Sequence, residues 1–171
     1  MPTPPPPPAA GTRLTVLERR VPFHETDAMG IVHHANYLHW FEEARVLWLE
    51  QHDQPYTRYL EDDIHLAVTR VEVEYHRSAR FDDRVAVATW VEVIRGASLR
   101  MGYRVTRRAA GAAGAAGAAG EEKMEEEVLV TGATEHAAVD GQGRVRRLPK
   151  ERRLSMQAKL GMRPEPESPG A

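Results

Sequence analysis

Between Phe23 and Tyr37 the chain reads FHETDAMGIVHHANY, where the Asp27 carboxylate stands three residues before a glycine and seven before His34, the earliest expected start of a helix. A chain leaving a strand ahead of Asp27 turns at Gly30, where no Cβ opposes a left-handed backbone, and enters that helix with its first N–H groups unpaired. The Asp27 carboxylate and those donors then face one small space. A base or nucleophile beside an electropositive helix end suits reactions in which negative charge develops on an oxygen next to the point of attack. Taken alone, an aspartate before a turn is more often a turn-former whose side chain bonds its own backbone.

Other chemistries find little support. Without cysteine there is no thiolate nucleophile, disulfide framework or cysteine-ligated zinc. None of the serines, Ser78, Ser98, Ser155 and Ser168, sits in a G-x-S-x-G elbow, and no glycine loop is built to cradle phosphate. His24, His33, His34, His39, Glu42 and Glu43 are close in sequence, but no two of these histidines stand four apart on a helical face, so no metal site is expected. A net charge of -2 with no long basic block argues against nucleic acid as partner. The basic stretch from Arg144 to Arg153 reads as a solvated strand and helix face. No run is long and apolar enough to span a bilayer, and the first residues carry no apolar core of a signal peptide, so a cytoplasmic address is expected.

The elements that must position Asp27 follow from the apolar periods. Tyr37, Trp40, Phe41, Ala44, Leu47 and Trp48 recur at three- and four-residue steps, the stripe of a helix buried on that side, with His39, Glu42, Glu43 and Glu50 opposite and Asn36 as its cap. A shorter helical stretch follows near residues 56–62. The period then becomes two through Leu66, Val68, Val71, Val73 and Tyr75, with a phase slip near Arg70 that marks a bulge. Strands at 85–93, 98–106 and 128–139, a short one at 144–148 and an early one at 14–23 complete an α+β domain spanning residues 12–161. Residues 1–11 form a proline-rich tail, solvated or serving as a docking peptide; 109–127 form a flexible Ala/Gly/Glu insertion, and 162–171 a disordered tail.

The stretch ETDAMGIVHHANYLHWFEEAR, residues 25–45, resembles the signature of the 4-hydroxybenzoyl-CoA thioesterase family and, within it, of the YbgC-like acyl-CoA thioesterases. The similarity continues through residues 66–83 and 95–99. The resemblance implies a hotdog fold, a curved antiparallel sheet wrapped around a long central helix, assembled as a homodimer or homotetramer with the site at the subunit interface. It implies hydrolysis of an acyl-CoA to carboxylic acid and CoA without a cofactor. Asp27 matches the catalytic aspartate, acting as general base or as nucleophile, and His34 matches the oxyanion donor through its N–H and an assisting histidine through its ring. Tyr37, nearest Asp27 on the helix, is a candidate substrate contact, and Arg95 and Ser98 lie in a turn placed to reach the CoA arm. Met29 and His33 depart from the usual smaller and aromatic residues, which leaves the acyl group open. A non-catalytic hotdog module that binds acyl-CoA or an acyl-carrier protein is the alternative.

Overall fold

The computed structural model describes Pro8, residues 11–108 and residues 126–160. The expectations for the two tails and for most of the insertion fall on residues outside these. Five strands, β1 (Leu14–Arg20), β2 (His65–Tyr75), β3 (Arg84–Ile94), β4 (Ser98–Arg108) and β5 (Glu126–Val139), form one antiparallel sheet in the order β1-β3-β4-β5-β2. Helices α1 (Asn36–His52) and α2 (Tyr56–Glu61) fall between β1 and β2, and α3 (Lys150–Lys159) follows β5.

Strict alternation selects the faces. Val85, Val87, Thr89 and Val91 of β3 are buried against α1, while Arg84, Ala86, Ala88 and Trp90 face away. The expected stripe of α1 is buried at Tyr37, Trp40, Phe41, Ala44 and Trp48, but Leu49 and Arg45 join it and Leu47 lies only half-buried. Phe41 stacks on Tyr103 with centroids 4.2 Å apart and planes 9° from parallel. Gly132 makes that approach possible, since a Cβ there would meet the Glu72 carbonyl oxygen at 2.7 Å and the Phe41 ring at 2.8 Å. The slip in β2 is a register shift between Val68 and Arg70 against β5.

Boundaries differ from expectation in several places. β1 ends at Arg20, short of residue 23, and Phe23–Glu25 form a 3-10 turn. The segment 144–148 is not a strand: it makes a single bridge, Val145 to Val139. β4 and β2 already flank β5 as far as Ala137 and Val139, so alongside β5 there is room for that bridge and not for a further strand. β5 opens earlier than Val128, at Glu126, because Glu127 finds an ion partner in Arg107 at 2.6 Å across the ladder.

The core also contains a polar chain. The Tyr103 hydroxyl meets Thr134 Oγ1 at 2.9 Å, and that oxygen lies 2.7 Å from His136 Nε2, all three residues being buried. Burial and, after it, the Arg45 cation lower the pKa of His136 from 6.5 to about 4. Below pH 6.5 the unfolded chain therefore takes up a proton that the folded chain refuses until about pH 4, so stability present above pH 6.5 is lost as the pH falls through that window. In thermal denaturation at pH 7 and pH 5, wild type is expected to lose more Tm on acidification than His136→Gln.

Candidate active site

β1 delivers the chain to the site. Val21 donates its N–H to Asp83 O at 2.9 Å and accepts from Asp82 N–H at 3.0 Å, which fastens the exit of β1 to the start of β3. One 3-10 turn, Phe23–Glu25, follows, and then a tight hairpin. Thr26 bridges Val32, Asp27 N–H reaches Ile31 O at 2.9 Å, and Gly30 N–H returns to Asp27 O at 2.9 Å. Gly30 has φ +70, the left-handed conformation that its lack of Cβ allows. The far arm is tied outward by an Ile31–Arg80 bridge and by Val32 N–H to Ala79 O at 2.9 Å.

At the hairpin's tip Asp27 is half-buried, and its Oδ1 accepts the Met29 N–H at 2.8 Å. The turn-forming role and a chemical role are thus compatible, because only one carboxylate oxygen is used. Among the described residues nothing donates to Oδ2.

The far arm runs directly into α1. Its first turn is tight, with Asn36 N–H on His33 O at 2.9 Å and Leu38 N–H on Ala35 O at 3.1 Å. Asn36 does not cap the helix: it is the first helical residue, and its Nδ2 donates backward to Glu25 O at 2.7 Å. The cap position is Ala35, which has no side chain to offer; its own N–H goes to His33 Nδ1 at 3.3 Å, and among the described residues the His34 N–H is left without an acceptor. The His34 ring is exposed and lies 4.2 Å from that of His33.

Glu25, which the residue pattern did not single out, organises this junction. Its carbonyl oxygen accepts from Asn36 and from His33 N–H at 2.9 Å, and its carboxylate accepts from Trp40 Nε1 at 3.0 Å and from Arg19. Arg19 in turn lies over the Trp40 ring at 4.7 Å and reaches Glu43 at 3.0 Å. Tyr75, at the end of β2, is a second such residue: its hydroxyl donates to His34 O at 3.1 Å, and its ring meets Tyr37 edge-on at 5.6 Å. The signal for Tyr75 was an aromatic with a polar tip closing the inward phase of a strand; for Glu25 there was none beyond its place beside Asp27.

Asp27 and His34 therefore belong to one hairpin and helix junction. Tyr37 lies beneath it, 2% exposed, with its hydroxyl accepting the Ala79 N–H at 3.0 Å. Arg95 and Ser98 lie elsewhere. They form the β3–β4 turn, closed by Arg95 N–H to Ser98 O at 2.8 Å, whereas the hairpin adjoins the Arg84 end of β3. The length of β3 separates them, roughly 33 Å at ~3.3 Å per residue. A hollow of about 420 Å³ on the sheet face away from α1, lined by Val16, Glu18, Arg20, Arg84, Ala86 and Thr106, includes neither Asp27 nor His34. Among the described residues no cluster of histidine and acidic side chains is arranged to hold a metal ion, and no helix is long and apolar enough to cross a membrane.

A model of the thioesterase-like superfamily matches residues 21–160, from the hairpin through α1 and strands β2 to β5 to α3. The chain belongs to that superfamily. Its single antiparallel sheet with α1 on one face is the hotdog arrangement expected of a member. Among curated relatives, a putative esterase of Aquifex aeolicus is 40% identical over 68 residues, 40% of this chain and 53% of the relative. The acyl-CoA thioester hydrolase YbgC of Escherichia coli O157:H7 is 34% identical over 86 residues, 50% of this chain and 64% of that protein. The chain thus matches between about half and two thirds of the length of these relatives. The crystal structure of a DHNA-CoA thioesterase from Staphylococcus aureus superposes with a TM-score of 0.71 at 25% identity, over 86% of this chain and 91% of that one.

Within this superfamily member the Glu25 carbonyl is the joint between hairpin and helix. Asn36→Ala removes one of its two donors and is expected to cost about 1 kcal/mol, read as a lowered Tm together with faster amide exchange at His33.

Proposed function

We propose that the protein is an acyl-CoA thioesterase, with the thioester carbonyl seated between Asp27 and the start of α1. The observation that carries this reading is the pairing of a half-buried carboxylate having one uncommitted oxygen with a His34 N–H that has no acceptor among the described residues, on one continuous junction. Attack on a thioester places negative charge on the carbonyl oxygen, and a preorganised N–H such as that of His34 stabilises it, one donor being worth about 2.7–4 kcal/mol. Asp27 supplies the other half of the reaction. As a base it takes a proton from water as the water oxygen bonds to the acyl carbon; as a nucleophile it forms an anhydride that water opens. In both routes the C–S bond breaks and CoA leaves as thiolate, which needs little help from an acid. The His34 ring, exposed at the rim, then serves to orient the substrate.

We further propose a homodimer built on β2. This strand is one of the sheet's two edges, the other being β1, and its Val68, Val71 and Tyr75 are 54%, 43% and 50% exposed. The register puts the start of β2 and the β3–β4 turn at the same end of the sheet, since His65 pairs with Val139 and Ser98 with Ala137. Antiparallel pairing of two β2 edges about a twofold axis carries that end of one copy toward the hairpin of the other. Arg95 and Ser98 then act across the interface, near the CoA arm, and Tyr37 acts from below as packing for the site.

Two measurements test these readings. Across a panel of aromatic and aliphatic acyl-CoAs, Asp27→Asn is expected to lower kcat by about 10²–10⁴-fold with KM little changed. Equal turnover in wild type and variant removes Asp27, and binding without turnover in wild type removes the enzyme. Val71→Arg is expected to shift sedimentation toward monomer and to abolish turnover; a dimeric variant would remove the β2 edge as the interface.

A further inference from the structure

The donor assigned to the oxyanion, His34 N–H, belongs to the peptide between His33 and His34. Its carbonyl is fixed by Asn36 N–H at 2.9 Å. The next peptide, between His34 and Ala35, donates its N–H to His33 Nδ1 at 3.3 Å, but its carbonyl has no partner within the turn. In a regular helix the carbonyl of residue 34 would accept from the N–H of residue 38, but Leu38 N–H goes to Ala35 O instead. The Tyr75 hydroxyl takes that place at 3.1 Å, 41 residues away in sequence.

With both flanking carbonyls engaged, the two peptide planes on either side of His34 are set, and the direction of its N–H with them. The bond from Asn36 to the His33 carbonyl also polarises the His34 N–H of the same peptide, while the bond from Tyr75 to the next carbonyl acts on the direction of that N–H alone. Tyr75 is itself held. Its ring packs edge-on against Tyr37, whose hydroxyl accepts the Ala79 N–H, and the Ala79 carbonyl accepts Val32 N–H of the hairpin. Desolvation by partial burial raises the phenol above its ordinary pKa of 10, so it stays a donor at neutral pH.

We propose that Tyr75 is a positioning residue for thioester hydrolysis, its hydroxyl bond to the His34 carbonyl aiming the oxyanion-binding N–H at the substrate. This rests on the thioesterase reading above and assigns it a residue from outside the signature segment. Tyr75→Phe keeps the ring and removes only the donor. In the intact protein it is expected to lower kcat by about 5- to 10-fold, the loss of one ordinary hydrogen bond, while KM holds. The ¹⁵N–¹H resonances of His34 and Ala35 are expected to move and their amide exchange to quicken, and those signals do not depend on turnover.

A variant with wild-type kcat overturns the proposal. So does an unchanged His34 resonance, which leaves no repositioning to explain any kinetic loss, and so does a KM that rises while kcat holds, which makes Tyr75 a substrate contact. Absence of turnover in wild type is a different failure: it removes the reaction, whereas an active wild type beside an indifferent Tyr75→Phe removes only the part given to Tyr75.

Discussion

The backbone oxygen of Glu25 receives two hydrogen bonds, one from the arm that follows Asp27 and one from the first residue of α1. Everything at the junction depends on that double acceptance. It closes the hairpin and sets the angle at which the chain enters the helix, so the acid at the tip and the N–H groups at the helix start keep a fixed relation. The side chain of the same residue secures the other direction, joining β1 through Arg19 and the second turn of α1 through Trp40. A carboxylate 13% exposed is tolerable there because Arg19 neutralises it and two donors bind it.

The core beneath the junction is less uniformly apolar than its aromatic content suggests. Arg45 is buried on α1 with, among the described residues, Glu42 at 3.5 Å as its one counterion. Across from it the sheet offers a neutral histidine and a hydroxyl chain in place of an acid. Tyr103 serves both layers: its face stacks on Phe41 and its hydroxyl starts the polar chain. Burial and, after it, the Arg45 cation keep His136 uncharged, so this part of the interior is spared a pair of like charges.

Local periodicity made much of this legible. The helical stripe through Tyr37, Trp40, Phe41, Ala44 and Trp48 was readable because a helix repeats its faces every three to four residues. The slip at Arg70 was readable because one extra residue reverses a strand's faces. Asp27 and the His34 turn stood out through the residues of the hairpin itself. What escaped were contacts between residues distant along the chain. Asn36 looked like a cap because its type favours one, yet a carbonyl eleven residues back was within reach of its amide nitrogen and it faced that way. The burial of Arg45 and the reach of Tyr75 to His34 depend on which strand lies opposite which helical turn, and no window of sequence contains both partners. The segment 144–148 alternated well enough for a strand, but whether an edge is vacant is a property of the whole sheet.

The ladder between β4 and β5 is bolted at its open end. Arg108 pairs with Glu126 in register, and the Arg107 guanidinium spans Glu127 and Asp83. The two chain ends at this connection are therefore held together by the sheet rather than by whatever joins them, and closure entropy grows only with the logarithm of the joining length. This corner is accordingly a natural place to graft a foreign peptide, an affinity handle or a fluorescent reporter.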